Sequence, residues 1–179
     1  MNRNAVPFAI AKSFYRIPLS FYRENDIHFL LLDLDNTLAC YKDEKPTPEA
    51  IAHIRYLEEN GIVCAIASNN TSTRVYTFAK DLGIPAYCRL HKPFAFGLRR
   101  LLQKEKIDPK KTVLIGDQIM TDVYAGNRAG IRVILCAPLT KLDPPWTKVN
   151  RFFAKPKKKK LFQEPYRSWW KEVPDNDSN

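Results

Sequence analysis

Paired metal or disulfide ligands are what this chain of 179 residues lacks most plainly. Its four cysteines, Cys40, Cys64, Cys88 and Cys136, are scattered, form no C-x-x-C pair and follow no secretory signal. That spacing excludes a disulfide framework, so reduced, mostly buried thiols without disulfide partners are expected. The three histidines, His28, His53 and His91, are too dispersed to build a metal cluster. No apolar run approaches the roughly 20 residues that a membrane span needs. The expectation is a soluble, cytoplasmic protein whose only membrane contact is peripheral, at the inner face. Acid is scarce at both ends. Residues 1–23 carry four Lys or Arg and no acid, and residues 148–179 carry nine against four acids. The middle, 24–147, has sixteen against fifteen, so nearly all of the formal +10 sits in the two ends.

What is present is enough for one packed domain. The length allows a proper core, and 45% hydrophobic with 12% aromatic residues excludes global disorder. From Ile27 onward, strand-like and helix-like segments alternate. HFLLLDLD is an apolar run with a polar end. TPEAIAHIRYLEEN opens with Thr47 as N-cap and Pro48 at the first helical position, repeats Ile51, Ile54 and Leu57 at helical spacing, and stops at Gly61. IVCAIAS reads as a strand buried on both faces, and TSTRVYTFAKDLG as a second helix. A short extended piece, PAYCR, precedes HKP and a third helix through Leu98, Leu101 and Leu102. TVLIGD, a helix to about Ala129 and IRVILC complete the series. This alternation predicts an α/β fold, a Rossmann-like parallel sheet with helices on both faces. Three parts are expected: a basic, aromatic segment 1–26 packing on or preceding the core, a core 27–154, and a basic, flexible tail 155–179.

Ligands of such sheets bind outside the carboxyl ends of the strands. The polar residues gather there: DLDNT with Asp33 and Asp35, SNN with Ser68, Asn69 and Asn70, and GDQIMTD with Asp117 and Asp122. Lys92, before a proline-led helix, lies near the same edge. Clustered carboxylates suit Mg²⁺, which takes one or two acids and fills its octahedron with water and phosphate oxygens. Lys92 and the Ser68 hydroxyl complement them as a cation and a compact donor for a phosphoryl group. One carboxylate can attack phosphorus while a second handles protons. Thr37 is expected to support the loop after the first of these strands through hydrogen bonds.

In order, D-x-D-N-T (Asp33 to Thr37), Ser68, Lys92 and G-D-x-x-x-x-D (Gly116 to Asp122) resemble the four motifs of the haloacid dehalogenase superfamily. The wording DLDNTL, SNN, KP and GDQIMTDVYAGNRAG is similar to its YqeG branch in subfamily IIIA, over roughly residues 10–155. The resemblance implies Asp33 as nucleophile and metal ligand. It implies Asp35 as general acid/base, reaching the metal through its backbone carbonyl. Ser68 and Lys92, with Asn69 as a further phosphate contact, would bind phosphoryl oxygens. Asp117 and Asp122 would belong to the Mg²⁺ site. The branch is similar to mitochondrial enzymes that dephosphorylate phosphatidylglycerophosphate.

Neither thirty residues from Thr37 to Ser68 nor twenty-three from there to Lys92 leaves room for a folded cap once the core elements are placed. The segment ACYKDEKPTP can form only a flap. An open site favours a substrate that covers it, a macromolecule or a membrane-borne phosphate. The ends agree with anionic lipid: SFYR occurs twice before residue 24, and KPKKKK (Lys155 to Lys160) precedes LFQEPYRSWW. A polybasic run binds anionic lipid, and Trp169 and Trp170 suit the headgroup level. The same composition suits RNA, with lysines on phosphates and aromatics on bases. A phosphatase of a soluble nucleotide, sugar phosphate or phosphoprotein, and an RNA- or ribosome-associated scaffold, are the alternatives to a lipid phosphatase.

Overall fold

The computed structural model describes residues 2–140 and 156–175. The expected end of the core at 154, together with Lys155, lies outside them. All seven strands of the sheet are parallel: β1 (Ala9–Ala11), β2 (Phe29–Leu32), β3 (Val63–Ala67), β4 (Ala86–Tyr87), β5 (Thr112–Gly116), β6 (Arg132–Cys136) and β7 (Lys171–Glu172). They lie side by side in the order β4-β3-β2-β5-β6-β1-β7. The helices are α1 (Leu19–Glu24), α2 (Pro48–Glu59), α3 (Thr73–Leu82), α4 (Phe96–Lys104) and α5 (Tyr124–Ala129).

The continuous apolar runs are strands buried on both faces, and their side chains divide with a period of two. Leu30, Leu32, Cys64, Ile66, Val113 and Ile115 enter one core layer with Ile54, Leu57, Val75 and Phe78 of α2 and α3. Leu31, Ala65, Ala67 and Leu114 enter the opposite layer with Leu98, Leu101 and Leu102 of α4. The chain winds outward from β2 through β3 to β4, then crosses to the other face and re-enters as β5 beside β2. That reversal opens the crevice at the carboxyl ends of β2 and β5. The expected N-cap forms: Thr47 Oγ1 accepts from the Ala50 N–H at 3.1 Å.

No folded cap interrupts the described core; the segment after Asp35 makes a small turn in which the Asp43 N–H donates to the Cys40 carbonyl at 3.0 Å. All four cysteines are free. No helix of the described residues is long and apolar enough to cross a membrane.

Both basic ends are built into the sheet. Phe14 and Phe21, the aromatic pair of the repeated SFYR, are buried in one core layer, with Pro18 interrupting the helix and serving as the N-cap of α1. Ahead of them β1 pairs with β6 on one side and β7 on the other. The expectation of a flexible tail therefore needs correction over residues 156–175. Residues 156–161 are helical, Leu161 is fully buried, and Trp170 donates its indole N–H to the Leu161 carbonyl at 2.8 Å. The apolar residues between the charges supply the reason: Leu161, Trp170 and Val173 find core to enter. Trp170 is thereby withdrawn from any membrane surface, while Trp169 stays about half exposed. Trp170→Ala is expected to cost about 3 kcal/mol in urea unfolding, whereas changing exposed Lys159 to Gln should cost under about 0.5 kcal/mol. Equal, negligible effects would mean that the segment does not dock.

Candidate active site

Four of the expected residues meet around one buried ammonium. Lys92 Nζ donates to Asp33 Oδ1 at 2.7 Å, to Asp122 Oδ1 at 2.7 Å and to the Ala67 carbonyl at 2.9 Å. Oxygens of Asp33, Asp117 and Asp122 lie within 4.8 Å of one another. Asp33 and Asp117 follow the ends of the adjacent strands β2 and β5, and Ala67 ends β3. The sheet thus sets the spacing. Asp122 arrives from the π-helical turn Ile119–Val123, where its Oδ2 also accepts from the Gln118 N–H at 3.2 Å. It approaches so closely that a Cβ on Gly116 would lie 2.3 Å from the Asp122 carboxyl carbon. Only glycine fits there.

Burial is the largest influence on the Asp33 carboxyl and raises it from the ordinary 3.8 to about 7; Lys92 opposes the shift, while Asp122 and Asp35 add to it. Burial also works against the Lys92 ammonium, but Asp122 and Asp33 outweigh it and hold the group charged well above the usual lysine range. Asp33 and Asp122 pair with the ammonium and Asp117 lies close to both, so acids outnumber cations in the cluster, as a divalent-cation site requires. The donors are hard oxygens at strand ends. They fit Mg²⁺ better than a softer metal.

The remaining residues take distinct places. Ser68 is buried; its Oγ accepts from the Asn70 N–H at 3.0 Å and keeps its own proton to donate. Asn69, expected at phosphate, grips the backbone of Lys92: its Oδ1 accepts from the Lys92 N–H at 2.7 Å and its Nδ2 donates to the Lys92 carbonyl at 2.8 Å. Each proton of the Lys92 ammonium already has an acceptor, so contact with a phosphoryl oxygen must share or replace one of these bonds. Asp35 stands apart from the three-carboxylate group. Just after it, Asn36 turns the chain through the left-handed region at φ 60°, which Asn tolerates better than most residues. The Asp35 carboxylate pairs with Arg74 at 2.6 Å. The sequence reading missed Arg74; a cation in the first turn of a helix was its one visible signal. Thr37 departs from expectation, since its buried hydroxyl has no hydrogen-bond partner among the described residues.

A family model of haloacid dehalogenase-like hydrolases matches residues 12–130. The chain belongs to this family. A relative from Bacillus subtilis (strain 168), described as a probable phosphatase, YqeG, is 34% identical over 146 residues, covering 82% of this chain and 85% of its own length. Among solved structures, a putative 3-deoxy-D-manno-octulosonate 8-phosphate phosphatase from Vibrio cholerae superposes with a TM-score of 0.52 at 21% identity, over 67% of this chain and 71% of that one. A thermostable single-mutant NPPase from Geobacillus stearothermophilus gives 0.53 at 14% identity, over 87% and 99%. These two likenesses show the fold alone. Membership makes the chain a hydrolase.

Because the folded-state value of Asp33 is raised, this acid favours the fold while protonated. Its contribution is present below about pH 4 and is lost as pH rises through about 7 in metal-free protein. Asp33→Asn is expected to flatten that slope and to raise the melting temperature of chelator-treated protein at neutral pH. Excess Mg²⁺ should raise the melting temperature of the wild type and do so less for the variant. Thermal melts by circular dichroism, with and without Mg²⁺, check both.

Proposed function

We propose that the chain is a Mg²⁺-dependent phosphomonoester phosphatase that works through an aspartyl-phosphate, and that its substrate is an anionic lipid phosphate of the phosphatidylglycerophosphate type. The observation that carries the chemistry is the grouping of Asp33, Asp117 and Asp122 about Lys92. The likeness to the probable phosphatase of Bacillus subtilis supports the reaction class.

Asp33, Asp117 and Asp122 would hold Mg²⁺, with Asp35 joining through its backbone carbonyl. The ion would supply charge neutralisation at the phosphoryl oxygens. Asp33 attacks phosphorus: an Asp33 O–P bond forms as the ester P–O bond breaks, and the proton of the Asp35 carboxyl goes to the departing oxygen. Water then attacks the same phosphorus, gives its proton to Asp35, and breaks the Asp33 O–P bond. Phosphate leaves and both acids return to their starting state. Ser68 donates its hydroxyl proton to a phosphoryl oxygen, and Lys92 offsets charge there. Asn69 serves phosphate indirectly, by holding the backbone of Lys92.

Two features support a lipid-borne substrate. The described core has no folded cap over the carboxyl edge of the sheet, which leaves the site open to a substrate large enough to cover it. The lysine helix lies beside that edge: Lys157 Nζ stands 3.0 Å from the sulfur of Met120, in the loop between Asp117 and Asp122, and Lys158, Lys159 and Lys160 face outward. Each cation near an anionic bilayer contributes about 1 kcal/mol.

Asp33→Asn is expected to abolish hydrolysis of p-nitrophenyl phosphate, a loss of at least about 10³-fold with the fold intact by circular dichroism. Retained turnover would refute the nucleophile. For the substrate, turnover of phosphatidylglycerophosphate in liposomes should exceed that of soluble nucleotides, sugar phosphates and a phosphopeptide by at least about tenfold in kcat/KM. Preference for a soluble ester would place the chain among phosphatases of soluble substrates. Salt-sensitive RNA binding that survives Asp33→Asn, with no phosphatase turnover, would favour the scaffold reading.

A further inference from the structure

None of the four motifs includes Arg74, yet its guanidinium is the most fully engaged arginine near the site. It lies in the first turn of α3, where the helix dipole opposes a cation, and no acid in that turn offsets it. Compensation comes from outside the helix. Nη1 donates to Asp35 Oδ1 at 2.6 Å, Nη2 to the Cys40 carbonyl at 2.7 Å, and Nε to the Asp43 carbonyl at 2.5 Å. Its central carbon sits 4.9 Å from the centroid of the Phe78 ring, and Phe78 is fully buried. The guanidinium therefore has a fixed apolar platform and three fixed acceptors.

Those acceptors belong to two pieces of chain, the strand-end loop with Asp35 and the Cys40–Asp43 turn. The turn is closed on itself, because the Cys40 N–H also donates to Asp43 Oδ2 at 3.0 Å. Asp35 is at the same time the one acid of the motifs outside the three-carboxylate group. Without a partner on its own side, its carboxylate would be free to swing. A planar fork with donors in set directions can fix all three acceptors together; a lysine, a single point of charge, cannot.

We propose that Arg74 is a positioning residue for proton transfer, holding the Asp35 carboxyl on the leaving-group side of Asp33 and tying it to the turn that borders the site. The proposal rests on the reading of Asp35 as the general acid. In the step it serves, the Asp33 O–P bond forms, the ester P–O bond breaks, and the Asp35 proton passes to the departing oxygen. An alkoxide leaves poorly without that proton, while p-nitrophenolate leaves well. Misplacing Asp35 must therefore harm alkyl esters far more than aryl esters.

The test compares kcat/KM for glycerol phosphate and p-nitrophenyl phosphate in full-length wild type, Arg74→Gln, Arg74→Lys, Asp35→Asn and the Asp35→Asn/Arg74→Gln double variant. Arg74→Gln is expected to lose roughly 30-fold or more on the alkyl ester and about threefold or less on the aryl ester. Arg74→Lys should show the same split, at about fivefold or more, and it decides the matter if Arg74→Gln loses its cooperative melt. Asp35→Asn should show the split as well, and adding Arg74→Gln to it should cost less than about twofold further. If Asp35→Asn splits the substrates while the Arg74 variants lower both equally, Arg74 is only a staple for the turn and the proposal is overturned. If Asp35→Asn itself produces no split, Asp35 is not the acid, and the reading of the site falls together with the role of Arg74.

Discussion

The site depends on one buried ammonium. Lys92 is almost wholly out of water, where an unpaired charge is costly, and it is tolerable only because three acceptors surround it. Two of these are acids that would otherwise repel one another, and the third is the last carbonyl of β3. The arrangement joins two strand ends and the π-turn by a single atom. Other features serve it: Asn69 clamps its backbone on both sides, and Gly116 lets Asp122 come within reach. Removing Lys92 would leave two buried acids facing one another without their cation, at a cost of about 3–5 kcal/mol. Stability and chemistry are therefore entangled here, and the cluster's excess of acids over cations is its opening for a divalent cation.

Around this centre the acids have separate environments although they are close in sequence. Asp33 faces Lys92, and Asp35 faces Arg74. One cation belongs to the three-carboxylate side, and the other lies beside the Cys40–Asp43 turn. An unbent strand would have sent both carboxylates to one face, whereas here each is held by its own cation. Fold supplies the spacing of the site, and the two separate ion pairs supply its asymmetry.

Much of this was legible in the residues. Continuous apolar runs such as VCAIA and TVLIG could hardly be anything but strands covered on both faces, and each handed over to polar residues where parallel sheets bind ligands. The carboxylates, Ser68 and Lys92 were found because their chemistry is local and typed. Relations between side chains were less visible. Nothing local shows that the Asn69 amide would turn to the Lys92 backbone, or that Arg74 would cross to Asp35. Both depend on the sheet having brought distant segments together. The carboxyl-terminal segment misled for another reason: its lysines dominate the composition, while three apolar residues, Leu161, Trp170 and Val173, decide where it goes.

The pairing of β1 with β7 has a consequence for how the chain acquires its structure. Residues 9–10 lie beside residues 171–172, one of the widest separations in sequence between any two strands of the sheet. During synthesis the β2–β5 centre has all its partners long before β7 emerges, so the outer edge of β1 stays open while the catalytic strands close. Completion of that edge is a late, high-contact-order event, and until it happens a ready template for pairing with another chain is exposed. Assembly thus runs from the middle of the sheet outward, with β7 added late as its new edge.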